Sequence, residues 1–207
     1  PEVIADLFNT ALSFAGLIMI PGLIGSILIG ERLLQVYGSE FTQASLVLSI
    51  LILATLLQSY QKQLTTTLNA LDRPDIAFRI NLVFILANVF LNLIFITAYG
   101  FVGAAIATAA SVAVSLVVAY RSVDSLLEFH FPTGEIVRQW IATGIMSTML
   151  VALLWVESVY PIWQNIVVVL TLVTVGSLIY FFALLVLSAR FRLTIRDNMP
   201  NSILHLG

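Results

Sequence analysis

Apolar residues come in six long blocks separated by short polar intervals, at residues 10–30, 43–70, 76–98, 101–121, 137–157 and 163–187. Each matches the roughly 20 residues that cross a 30 Å hydrocarbon core. The pattern predicts an all-α, polytopic transmembrane bundle of six membrane-spanning helices over residues 1–189, with a tail at 190–207. Pro21-Gly22 falls in the middle of the first block, flanked by Gly16 and Gly25. Proline has no N–H, and its ring crowds the carbonyl of Leu17, so a kink is expected there. Such a kink is either a hinge or a bend that improves packing. The second block opens apolar and ends polar (QSYQKQLTTTLNAL), with Gln58, Lys62, Thr65 and Asn69 spaced onto one helical face. Arg73-Pro74 closes it, because a residue before proline leaves the helical region and proline suits a first turn.

Residues 81–108, NLVFILANVFLNLIFITAYGFVGAAIAT, are the most specific stretch. Asn81, Asn88 and Asn92 stand at i, i+7 and i+11 and share one helical face. An amide in lipid is costly without a partner, so this face turns either to neighbouring helices or to a water-filled cavity. Tyr99-Gly100 reads as a tight turn. After it Gly103, Ala107, Ser111 and Ser115 recur every four residues, a spacing that lets membrane helices approach closely.

Composition strengthens the membrane reading. Of 207 residues, 60% are hydrophobic and 10% charged, against about 25% charged in soluble domains. The mean hydropathy is +1.05. Counting Lys and Arg outside the spans puts Arg73, Arg79, Arg121, Arg138, Arg190, Arg192 and Arg196 on one side and Arg32 on the other. By the positive-inside rule both ends are then cytoplasmic, in a multi-pass protein of the plasma membrane. Trp155, Tyr160 and Trp163 gather around the last turn, as aromatic residues do at a membrane surface. The chain starts with Pro1 and has no basic signal-peptide region, so it reads as a fragment or processed piece of a longer membrane protein.

Little chemistry of the enzymatic kind is present. There is no cysteine, and His130 and His205 stand alone, so no metal site is expected. Every carboxylate, from Glu2 to Asp197, including Glu128, lies in a loop, at a span end or in the tail, so this piece lacks the embedded acid of a proton or sodium relay. No phosphate loop, cofactor motif or nucleophile with its base is found, and no block of basic charge invites nucleic acid. Lys62 is the deepest charge, with Arg79 near the start of the next helix. Lys62 either snorkels into headgroups or shares a cavity with Arg79, Gln58, Asn81 and Asn88. A cation among amides suits an anionic group such as a diphosphate and repels a cationic drug.

The run NVFLNLIFITAYGFVGAAIAT resembles the signature hairpin of polysaccharide flippases, in the multidrug/oligosaccharidyl-lipid/polysaccharide exporter superfamily. IPGLIGSILIGERLLQVYGSEFTQASLVLSILIL and TTLNALDRPDIAFRINL are similar to that family in the same order. The resemblance implies alternating-access transport of lipid-diphosphate-linked sugars, no cofactor, and a fit to the last six helices of a fourteen-helix protein. It implies that the N-terminal half of the transporter is missing from this chain. In that frame Lys62 and Arg79 attract the diphosphate, Gln58, Asn81, Asn88 and Asn92 meet sugar hydroxyls or water, and Pro21-Gly22 bends the first span. Such flippases line their cavity with several basic residues, and this piece offers Lys62 and Arg79. Three rivals stand beside that reading. A cation-coupled multidrug exporter needs an embedded carboxylate, a membrane sugar polymerase or acyltransferase needs a large extracytoplasmic loop with acid or histidine, and a scaffold bundle has little need of midplane amides.

Overall fold

The computed structural model describes residues 2–127, 132–159 and 164–198. These are α1 (Glu2–Phe14), α2 (Met19–Gln35), a 3-10 turn (Ser39–Ala44), α3 (Ser45–Ala70), α4 (Pro74–Asp124), α5 (Thr133–Val159), α6 (Asn165–Leu187) and α7 (Ala189–Asn198), with no strand among the described residues. Five stretches are long and apolar enough to cross a membrane: Phe8–Gln35, Ser39–Ala70, Pro74–Asp124, Thr133–Val159 and Asn165–Leu187. Trp155 is exposed near the end of α5. Glu128, His130, Tyr160, Trp163 and His205 lie outside the described residues.

At 51 residues α4 would be about 76 Å long if straight, more than twice a hydrocarbon core. It is not straight. Gly100 takes φ 58 and ψ −136, a conformation that costs other residues dearly. Ala77 and Ile80 from the start of α4 share a buried cluster with Ala119 and Val123 from its end, so the helix doubles back. Gly103 lies against the first limb, where a Cβ would stand 1.9 Å from the Phe95 carbonyl oxygen. The period-four stripe is the buried face of the second limb: Gly103, Ala107, Ser111 and Ser115 are all buried, and Ala119 extends it. The Ser111 and Ser115 hydroxyls donate to Ala107 O and Val112 O of their own helix, which leaves the face smooth.

Small residues matter more here than greasy ones. Burying a Leu from water is worth about 1.5–3 kcal/mol, but lipid tails are as apolar as Leu, so helix association in a membrane rests on close packing and polar ties. Two cores result. Phe8, Leu12, Leu64, Leu68, Ile80 and Val123 join α1, α3 and α4. Met146, Leu150, Leu172, Tyr180, Leu184 and Phe191 join α5, α6 and α7, and Ile29 of α2 packs with them. A third, smaller core of Ile20, Leu23 and Leu56 seats α2 on α3, so α2 bridges the halves.

The sequence puts a kink at Pro21; the structure puts the break at residues 15–18, between α1 and α2. Pro21 falls in the first turn of α2, where a missing N–H disturbs least. Between α3 and α4 the chain turns as Arg73-Pro74 predicts, with Pro74 opening α4. The end of α3 is a Schellman motif: Arg73 N–H donates to Leu68 O at 2.9 Å and Asp72 N–H to Asn69 O at 3.2 Å. The left-handed position, usually glycine, is held by Asp72 at φ 55.

Candidate functional site

The polar end of α3 makes one wall of a cavity of about 530 Å³, lined by Thr55, Gln58, Ser59, Gln61, Lys62 and Thr65, with Asn81 entering from α4. The α3 residues recur at spacings of three and four, so the helix turns a single polar face to the cavity. Their hydroxyls are engaged within the helix: Thr55 donates to Leu51 O, Ser59 to Leu56 O, and Thr65 to Gln61 O and Lys62 O. The hydroxyl oxygens therefore offer lone pairs to the cavity, while the donors are the Gln58, Gln61 and Asn81 amides and the Lys62 ammonium. Among the described residues no acidic side chain lines it. Gln61 is buried, whereas Lys62, Gln58 and Asn81 are exposed.

The structure brings together Gln58, Lys62, Thr65 and Asn81 of the residues singled out by sequence. Arg79 is exposed on α4 and does not line the cavity. Asn88 and Asn92 are half-buried further along the limb, also outside the lining. The Asn92 amide donates to Asn88 O at 2.8 Å and to Asn88 Oδ1 at 2.9 Å. These two amides pair along their own helix, in part answering the cost of an amide in lipid. Thr55, Ser59 and Gln61 were not singled out from the sequence, although Thr55 and Ser59 stand seven and three residues before Lys62 on the same face.

The predicted hinge lies elsewhere. Pro21 and Gly22 border an apolar pocket of about 260 Å³ between α2, α5 and α6, with Gly25, Met146, Leu150 and Phe181 in its wall. The buried Tyr180 donates its hydroxyl to Leu17 O at 2.8 Å.

Polar ties hold the two ends of the bundle. At one end Arg32 reaches Glu157 at 2.5 Å, and Asn165 Nδ2 donates to Arg32 O at 2.9 Å. At the other, Gln139 Nε2 donates to Ser13 O at 2.7 Å, and Arg190 donates to Ser13 Oγ and Thr10 Oγ1, each at 3.0 Å. There the Ser188 hydroxyl donates to Glu135 Oε2 at 2.6 Å, and Arg138 pairs with the same carboxylate. Arg138 and Arg190 thus sit together, and Arg32 sits apart.

The chain is 35% identical over 200 residues to the probable flippase AglR of Haloferax volcanii, a match that takes in 95% of this chain and 41% of that protein. By sequence the chain is a relative of the flippases. A second relative from the same organism, the probable low-salt glycan biosynthesis flippase Agl15, is 33% identical over 150 residues, or 72% of this chain and 32% of that one. This flippase relative thus spans about two fifths or less of the length of the curated proteins it matches. No protein-family model matches it. Its fold is similar to that of the lipid II flippase MurJ in the inward closed conformation, with a TM-score of 0.70 at 19% identity, over 88% of this chain and 38% of that structure.

Proposed function

We propose that this chain is the C-terminal part of a plasma-membrane flippase that moves lipid-diphosphate-linked oligosaccharide by alternating access, and that it is not an enzyme. The observation that carries the reading is Lys62, set among three amides and three hydroxyls in a wall with no carboxylate among the described residues. An ammonium attracts a diphosphate, and amides and hydroxyl oxygens suit the alternating donors and acceptors of sugars. The relatives named as flippases support the assignment. The remaining length of the transporter, which includes its N-terminal half, supplies the facing wall.

In this reading the chain crosses the bilayer six times, the two limbs of α4 counting as two crossings, with both ends cytoplasmic and residues 190–207 a cytoplasmic tail. Arg79, exposed on the limb that carries Asn81, gathers the headgroup at the cavity mouth. Asn88 and Asn92 extend the polar track towards the turn, and Pro21-Gly22 flexes the first span. A cation-coupled drug exporter is less well matched, because Lys62 repels a cationic drug and no acid lies in the wall to bind one.

The test is Lys62→Ala in the complete transporter, with Lys62→Arg beside it. Export of the lipid-linked glycan, measured at matched membrane levels of protein, is lost in the first and largely kept in the second. Unchanged export in Lys62→Ala sinks the assignment of this cavity to the substrate.

A further inference from the structure

We propose that Tyr180 is a positioning residue for the break in the first span, its hydroxyl standing in for the N–H that Pro21 lacks. In an uninterrupted helix the N–H of residue 21 donates to the carbonyl of residue 17. The neighbouring bonds of that series are made: Ile20 N–H donates to Gly16 O at 2.9 Å and Gly22 N–H to Ile18 O at 3.0 Å. The Leu17 carbonyl between them loses its partner to the proline ring. In apolar surroundings such a carbonyl must be answered from a neighbouring helix. Tyr180, 1% exposed on α6, answers it at 2.8 Å.

A second carbonyl of the break is handled the same way. Leu17 N–H tightens onto Phe14 O at 3.1 Å, the i−3 carbonyl. Ser13 O, its partner in a regular helix, receives Gln139 Nε2 of α5 instead. On the other flank α3 leaves no slack, since a Cβ on Gly16 would meet the Tyr60 hydroxyl oxygen at 2.5 Å. The break is therefore wedged against α3, and the carbonyls of Ser13 and Leu17 are held by α5 and α6. Any change in the bend must exchange these two bonds, so the last two long helices set the angle of the first span.

The experiment compares the chain with Tyr180→Phe, Pro21→Ala and the double variant, each in lipid nanodiscs, by amide hydrogen exchange over residues 18–25. Tyr180→Phe removes one oxygen atom and speeds exchange there by about three- to tenfold, the range expected for one hydrogen bond in a membrane. In the Pro21→Ala background the new N–H takes the Leu17 carbonyl, and adding Tyr180→Phe changes exchange less than twofold. Equal acceleration in both backgrounds, or none in either, overturns the proposal. Exchange in α3 reports any general loosening separately. The part this bond plays in transport rests on the function proposed above. Export is therefore read in the same variants of the complete transporter. Coupled exchange with unaffected export removes only the hinge from the mechanism, whereas uncoupled exchange removes the bond itself.

Discussion

Arg32 of α2 pairs with Glu157 of α5 at 2.5 Å across 125 residues of sequence, and the backbone carbonyl of the same arginine accepts the Asn165 amide of α6. One residue thus gathers the ends of three helices. Both charged side chains keep some solvent contact, 33% and 17% exposed, so the pair ranks between a surface pair and a buried one. Glu157→Ala and Arg32→Ala should each cost about 1 kcal/mol, seen as a fall of about 3 °C in the apparent melting temperature in detergent. The double variant should cost less than the two combined. Strict additivity would show that the two side chains do not work as a pair.

Gly103 makes the sharpest packing prediction. A methyl there would sit 1.9 Å from the Phe95 carbonyl oxygen, and a backbone atom cannot swing aside. Gly103→Ala should cost about 3 kcal/mol by prying the limbs of α4 apart. Gly144 is the control: a Cβ there meets nothing within 4 Å, so Gly144→Ala should be neutral or gain up to about 1 kcal/mol in helix propensity. Equal melting temperatures for the two variants would mean the limbs do not touch at Gly103.

Asp72 holds the left-handed position of the Schellman motif after α3. Aspartate tolerates that region better than most residues, but glycine pays no steric penalty there. Asp72→Gly should be neutral to about 0.5 kcal/mol stabilising, and Asp72→Val should cost about 1–2 kcal/mol. Chemical denaturation of the two variants checks the order, and a valine variant as stable as the parent would exclude the left-handed turn.

Much of the fold is legible in the sequence because its signals are local. Tyr99-Gly100 followed by small residues at every fourth position specifies a close hairpin by itself, and Arg73-Pro74 specifies the turn before it. The break in the first span is not legible in this way. Pro21 marks the neighbourhood, but where the helix parts depends on Gln139 and Tyr180, 126 and 163 residues away from the carbonyls to which they donate. Nothing near residue 15 announces them. The cavity is an intermediate case. The face bearing Gln58, Lys62 and Thr65 follows from spacing, and Asn81 joins it across the turn. Asn88 and Asn92 have the same periodicity, yet their four-residue separation lets one amide close on the other, so a shared face is not shared chemistry. Arg79 sits two residues before Asn81 and stays out of the lining for a different reason: positions two apart on a helix diverge by about 200°.

The reversal at Gly100 has a topological consequence. It decides parity. Because α4 doubles back there, Arg73 and Arg121 lie at the same end of the bundle, although a continuous helix would set them about 72 Å apart. All that follows in the chain inherits this choice: α5 starts at the end where α4 started, so Gln139 meets Ser13, and Arg190 meets Ser13 and Thr10, instead of being carried to the far face. A single residue without a side chain thereby assigns sidedness to the rest of the chain.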